Sequence, residues 1–198
     1  MRGFGKLIAD SQDNFNPDSF DDGSIHTAIR TLTSNLSLDM VLQQVADLSR
    51  ELVAASYSAL GILNEGGTLS KFITSGISPS DRDKIGDSPT GKGILGLVLE
   101  EGQSLRLSQL SQHPESCGFP ANHPEMTSFL GVPIILNGVV LGNLYLTNKI
   151  RADEFSIEDE NVATLFAAQA AVAIENARLY EAEMRRSSQL NMLNLMSR

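Results

Sequence analysis

One cysteine, Cys117, is all that 198 residues supply, which excludes an internal disulfide and any zinc or redox centre built from several cysteines. Basic residues are scarce too: 15 Lys and Arg stand against 24 Asp and Glu, for a formal net charge of -9. That balance argues against a nucleic-acid partner, whose phosphates must be met by clustered cations. An acidic surface identifies no partner by itself. No apolar run reaches the roughly eighteen residues of a membrane span, and the N-terminus lacks the charged-then-apolar pattern of a signal peptide. The expectation is a cytoplasmic chain. Catalytic sets are missing as well: neither a Ser/His/Asp nor a Cys/His arrangement can be argued, and Gly91-Lys92-Gly93 is too short for a phosphate loop and lacks the following Ser or Thr. Asp153-Glu154 and Glu158 to Glu160 read as a loop and a helix start. The chain itself is therefore not expected to be an enzyme, and any catalysis of a parent protein would lie beyond Arg198.

What is present is enough apolar material, 41% of residues, for one well-buried domain with appendages. Its centre is the stretch Glu115 to Tyr145, which joins a Pro/Gly-punctuated loop holding His123 to a hairpin carrying Tyr145. Phe129 to Leu136 and Val139 to Thr147 are apolar and rich in β-branched residues, and Asn137-Gly138 between them suits the positive φ angles of a type I′ turn. Alternation puts Val139, Leu141, Asn143, Tyr145 and Thr147 on one side of the second strand, and Val140, Gly142, Leu144 and Leu146 on the other. The first side turns polar toward its end. Apolar walls with a few placed polar groups are what small-molecule pockets present, and Tyr145 is the polar group to watch.

Residues 1–23 are poor in aliphatics and are expected to form a disordered acidic and polar tail. Residues 24–55 read as N-terminal helices. The first begins at Ser24 with Ile25, Ala28, Ile29 and Leu32, and the second at about Leu38, capped by Ser37, with Val41, Leu42, Val45, Leu48, Leu52 and Val53 at helical spacing. Tyr57 to Leu63 and Leu69 to Thr74 flank Asn64-Glu65-Gly66-Gly67 as a second hairpin; Pro79 to Ile85 and Ile94 to Glu100 read as short helices, and Ser104 to Leu107 as a brief strand. Ser156 opens a last helix whose first turn holds Glu158, Asp159 and Glu160. Val162, Leu165, Phe166, Val172, Ala173, Ala177, Tyr180 and Met184 trace one apolar stripe along it, and no Gly or Pro interrupts the run before Arg198. The predicted architecture is α+β, a central antiparallel sheet with the N- and C-terminal helices on one face and a ligand pocket on the other. A helix that outgrows its domain points to a homodimer through the N- and C-terminal helices. Residues 181–198 read as a helical linker, and Leu190 to Arg198 resembles Ile29 to Leu36, as though a second, similar domain begins there.

These residues carry a resemblance. Tyr57 to Tyr180, hence a domain over 56–180, resembles a GAF domain. The stretch L-R-L-S-Q-L-S-Q-H-P-E-S-C-G-F-P-A-N-H-P-E-M-T-S-F-L-G-V-P, followed by G-N-L-Y-L-T-N-K, is similar to the first GAF domain of the mycobacterial dormancy-survival sensor histidine kinases of the DevS and DosT type. The resemblance implies haem b as cofactor, a diatomic gas (oxygen, nitric oxide or carbon monoxide) or a redox change as signal, and a downstream kinase or second GAF domain in cis. It implies His123, in G-F-P-x-x-H-P-x-M, as the axial ligand of the haem iron, and Tyr145, in L-Y-L-T, as hydrogen-bond donor on the opposite face. Gly61 falls where one family member has a glutamate that narrows access, so the distal side is expected to be open. Phe72, Leu97, Met126 and Leu130 are expected among the apolar walls. Read by residue type alone, His123 is a loop residue between Asn122 and Pro124, and Tyr145 a half-buried core tyrosine. His113 and His26 have no comparable context and read as solvated surface residues.

A second signature competes. Asn148-Lys149, Phe155 and Asp159-Glu160 fit N-K-x(n)-F-x3-D-E, a pattern associated with cyclic-nucleotide-binding GAF domains. Its physical content reads as a surface Lys149–Asp159 ion pair fastening the last strand to the C-terminal helix, worth about 0 to 1 kcal/mol. A cyclic nucleotide, or no ligand and a purely dimerising spacer role, are the alternatives to haem. A bilin would need the Cys-His pair usual in phytochrome-like GAF domains, whereas Cys117 precedes Gly118 and Phe119, and methionine sulfoxide reductases of this fold look to need several cysteines.

Overall fold

The computed structural model describes residues 37–78, 93–116 and 125–196, with side chains described as far as residue 189. The expected tail, the first helix from Ser24, the Pro79 to Ile85 helix and the loop holding Cys117 and His123 lie outside the described residues.

Helix α1 spans Leu38–Leu52, and Ser37 caps it in extended conformation, its side chain accepting from the Met40 amide. The helix turns its periodic apolar face, Val41, Leu42 and Val45, inward. Strands β1 (Ala55–Leu63) and β2 (Leu69–Ser75) form the first hairpin, held at its turn by Asn64 Oδ1, which accepts from the Gly66 and Thr68 amides. Helix α2 (Ile94–Glu101) ends at Gly102, whose positive φ closes the last turn, and β3 (Leu105–Leu107) follows. After a 3-10 turn at Leu110–Gln112, β4 (Phe129–Leu136) and β5 (Val139–Lys149) form the second hairpin. Asn137 and Gly138 both take positive φ, 51° and 78°, as the sequence predicts for a type I′ turn. Helix α3 runs over Ile157–Met196.

The five strands pair antiparallel throughout in the order β2-β1-β5-β4-β3, which makes β5 the central strand. One face is the main core: Leu60 and Ile62 of β1, Leu130, Val132 and Ile134 of β4, and Leu144 and Leu146 of β5 pack under α1 and α3. Each fully buried Leu or Ile there contributes about 1.5 to 3 kcal/mol. The helices on one face thus match the expected α+β arrangement, while α2 covers part of the other face.

The stripe foreseen on α3 is corrected. Its buried face is Val162, Ala163, Phe166, Ala167, Ala170, Ala171 and Ile174, whereas Leu165, Val172, Tyr180 and Met184 point outward. Alanines dominate the inner face because small side chains let α3 lie close against the sheet. Arg178 then clasps the helix to the end of β1 by donating to the Leu63 carbonyl at 2.7 Å.

The Lys149–Asp159 pair is also corrected, from a surface contact to a nearly dry one. Lys149 Nζ lies 2.8 Å from Asp159 Oδ1, with side-chain exposures of 16% and 2%, and also donates to the Val53 carbonyl at 2.9 Å. Asp159 Oδ2 accepts from the Ser156 amide while Ser156 Oγ accepts from the Asp159 amide, a reciprocal cap on α3. The pair therefore binds β5, the end of α1 and the start of α3 into one joint, the ammonium reaching α1 and the carboxylate capping α3. A second strut reaches the same turn from β3, where Arg106 Nε meets Glu160 Oε2 at 2.8 Å and its guanidinium donates to the Phe155 carbonyl.

Candidate functional site

The sheet face away from α1 and α3 carries a second apolar cluster: Ala59, Ile94, Val98, Leu110, Met126, Phe129 and Tyr145, with Tyr57, Phe72, Leu95, Leu105 and Leu107 packed against it. Strand register orders this face into three rows across β1, β5 and β4. Tyr57, Thr147 and Phe129 form one, Ala59, Tyr145 and Gly131 the next, and Gly61, Asn143 and Pro133 the third. The central strand thus presents Asn143, Tyr145 and Thr147 in a line, all buried, at 3%, 9% and 1% exposure. Leu141, of the same parity, joins the helix-side core beyond the register shift at Ile134/Ile135.

Tyr145 stands between the two smallest cross-strand neighbours available, Ala59 and Gly131. Its ring is flanked by Phe129 (centroids 6.0 Å apart, planes 26°) and Phe72 (6.2 Å, 34°). Gly131 is required here: a Cβ on it would come within 2.8 Å of the Phe129 ring and 2.9 Å of Val98 Cγ2. Burial pushes the Tyr145 pKa above its ordinary value of 10.0, so the phenol stays protonated and able to donate.

The structure brings some of the expected site residues together. Phe72, Met126 and Tyr145 meet in this cluster. Leu130 does not: it sits on the opposite face, in the core under the helices, because Phe129 takes the pocket side of β4 and alternation sends its neighbour away. Leu97 is half-buried and joins neither cluster among the described residues; Ile94, Leu95 and Val98 are the α2 side chains that reach the face. Gly61 is on the pocket face, paired with Phe72 and Asn143, but the opening expected above it is filled. A Cβ there would lie 2.8 Å from Asn143 Oδ1 and 3.0 Å from Leu69 Cδ1. Asn143 also donates to the Leu95 carbonyl at 3.3 Å, tying β5 to α2. His123 lies outside the described residues.

Thr147 is the residue that motif reasoning passed over. Its hydroxyl is buried and has no hydrogen-bond partner. The signal was in the strand pattern, three polar side chains at every second position of an otherwise apolar central strand. Among the described residues no group of His, Cys, Asp and Glu could hold a metal ion, and no helix is long and apolar enough to cross a membrane.

A family model described as a GAF domain matches residues 35–175. Among curated proteins, the chain is 24% identical over 168 residues to a probable 3',5'-cyclic phosphodiesterase, pde-5, of Caenorhabditis elegans, covering 78% of this chain and 22% of that protein. It is 32% identical over 123 residues to the cone cGMP-specific 3',5'-cyclic phosphodiesterase subunit alpha' of Mus musculus, covering 60% and 14%. The chain therefore spans less than a quarter of the length of either relative. Among solved structures, the GAF domain of a phosphoenolpyruvate-protein phosphotransferase from Coxiella burnetii is similar at a TM-score of 0.71 and 25% identity, covering 81% of this chain and 95% of that one.

Proposed function

This chain belongs to the GAF domain family, and from that premise we propose that it is a sensory module whose ligand lies against the Tyr145 face of the sheet, with haem b held by His123 as that ligand. The observation that carries the reading is the Tyr145 phenol, buried inside an apolar cluster between the rings of Phe129 and Phe72. A hydroxyl donor set among apolar side chains suits a group that arrives from outside, because it can orient a ligand whose other contacts are apolar. The walls, Ile94, Val98, Met126 and Phe129, fit the apolar body of a porphyrin. His123 enters through the resemblance of its loop, where a neutral imidazole would bind iron. Haem, when bound, supplies an iron site for oxygen, nitric oxide, carbon monoxide or a redox change. The filled space above Gly61 supports a distal side gated by Asn143 rather than left open.

The same strand connects the site to the output. Tyr145 and Lys149 share β5, and Lys149 grips Asp159 in the first turn of α3. We read this joint, with the Arg106–Glu160 strut, as the route by which a shift of the pocket face reaches α3 and a downstream histidine kinase or second GAF domain. Leu165, Val172 and Leu179 are exposed at seven-residue steps along α3, a spacing that suits a parallel coiled-coil partner and supports a homodimer. Light scattering that shows a monomer would remove that part.

A cyclic nucleotide is the second reading, favoured by the two phosphodiesterase relatives. Lys149 offers it little, since its ammonium is already engaged by Asp159 and the Val53 carbonyl. Calorimetry with haemin and with cyclic GMP separates the two: saturable haemin binding supports the first reading, and saturable nucleotide binding without haemin uptake replaces it.

A further inference from the structure

We infer that Thr147 is a second ligand-contacting hydroxyl of this site, and that the site takes a flat, largely apolar ligand bearing hydrogen-bonding oxygen or nitrogen atoms along one edge. The inference rests on the reading of this sheet face as a ligand site. Thr147 is 1% exposed and its Oγ1 has no hydrogen-bond partner. Its surroundings leave it so: β5 is paired on both sides, to β1 through Tyr57 and to β4 through Phe129, and among the described residues no group lies within hydrogen-bonding reach of Oγ1. Valine has nearly the same shape and would remove the penalty of a buried, unpaired hydroxyl. In the free protein the hydroxyl is therefore a cost, and its use must lie in a partner that the free protein does not contain.

Thr147 shares its face with Tyr145, two residues along the strand. Side chains at that spacing rise about 7 Å apart, so the two hydroxyls address separate atoms of one ligand edge. The rings of Phe72, Phe129 and Tyr57 around them are flat and apolar, and they offer no charge to an ionic ligand. Thr147 would thus sort flat ligands by where their acceptors lie, a task that Tyr145 alone cannot perform.

The test uses Thr147→Val and Thr147→Ser in two arms. In the ligand-free protein, Thr147→Val is expected to raise the melting temperature by about 3 to 6 °C, as an orphan hydroxyl is replaced by a methyl group. An unchanged or lower value means that the hydroxyl is already satisfied and overturns the inference. In the second arm, haemin and cyclic GMP are titrated separately. The probe that binds the wild type is expected to lose at least about fivefold in affinity in Thr147→Val, with Thr147→Ser restoring most of it. Equal affinity across the three proteins overturns the inference while leaving the proposed ligand standing. If neither probe binds the wild type, the haem and nucleotide readings fail, and the melting arm decides whether Thr147 is an orphan awaiting some other ligand.

Discussion

Lys149 Nζ and Asp159 Oδ1 meet at 2.8 Å in a joint where the carboxylate is 2% exposed, and this contact joins the strand of Tyr145 to the first turn of α3. A charge pair out of water is worth more by its loss than by its presence, because either partner left alone is a buried, uncompensated charge. Lys149→Met and Asp159→Asn are each expected to cost on the order of 3 kcal/mol in denaturant unfolding. A loss below about 0.5 kcal/mol would place the pair with ordinary surface contacts.

Gly61 and Asn143 compete for one volume. Gly61→Ala puts a methyl group 2.8 Å from Asn143 Oδ1 and forces the carboxamide away from the Leu95 carbonyl. The expected cost is about 1 kcal/mol, the worth of one neutral hydrogen bond, and it should largely vanish in an Asn143→Ala background. Additive costs in that double-mutant cycle would show that Asn143 is not what fills the space.

How much of this was legible beforehand follows from the range of each signal. Ser37, Ser156 and Asn137-Gly138 act within a few residues, so both caps and the second hairpin were readable directly. The polar row of β5 was readable as alternation. Alternation says which residues share a face but not which face the helices cover, and that is why Leu130 was assigned to the wrong one. The contact of Gly61 with Asn143 depends on β1–β5 register across most of the domain, which no local pattern carries. On α3, Leu165 and Val172 look like core and the alanines like filler, yet close approach of helix to sheet favours the alanines.

Tyr145 gives a test in alkali. Its pKa is raised by burial, so the folded form holds the proton more tightly than the unfolded chain does. Stability from this source is complete below the ordinary tyrosine value of 10.0 and is lost as pH rises from there toward the folded value. The wild type should therefore weaken above pH 10 more steeply than Tyr145→Phe, and the absorbance difference between the two should show no phenolate from Tyr145 until the fold opens. A Tyr145 signal that titrates at the ordinary value would mean that the ring is wet.

The most direct measurement is the absorption spectrum of protein incubated with haemin, taken beside His123→Ala and Tyr145→Phe, before and after reduction and exposure to oxygen or carbon monoxide. The wild type is expected to show a Soret band at one haem per chain, His123→Ala altered coordination and weaker uptake, and Tyr145→Phe retained haem with faster oxygen loss or autoxidation, by about fivefold for a hydrogen bond of roughly 1 kcal/mol. No Soret band in the wild type, or a His123→Ala spectrum and affinity indistinguishable from it, would contradict the assignment of haem to this domain.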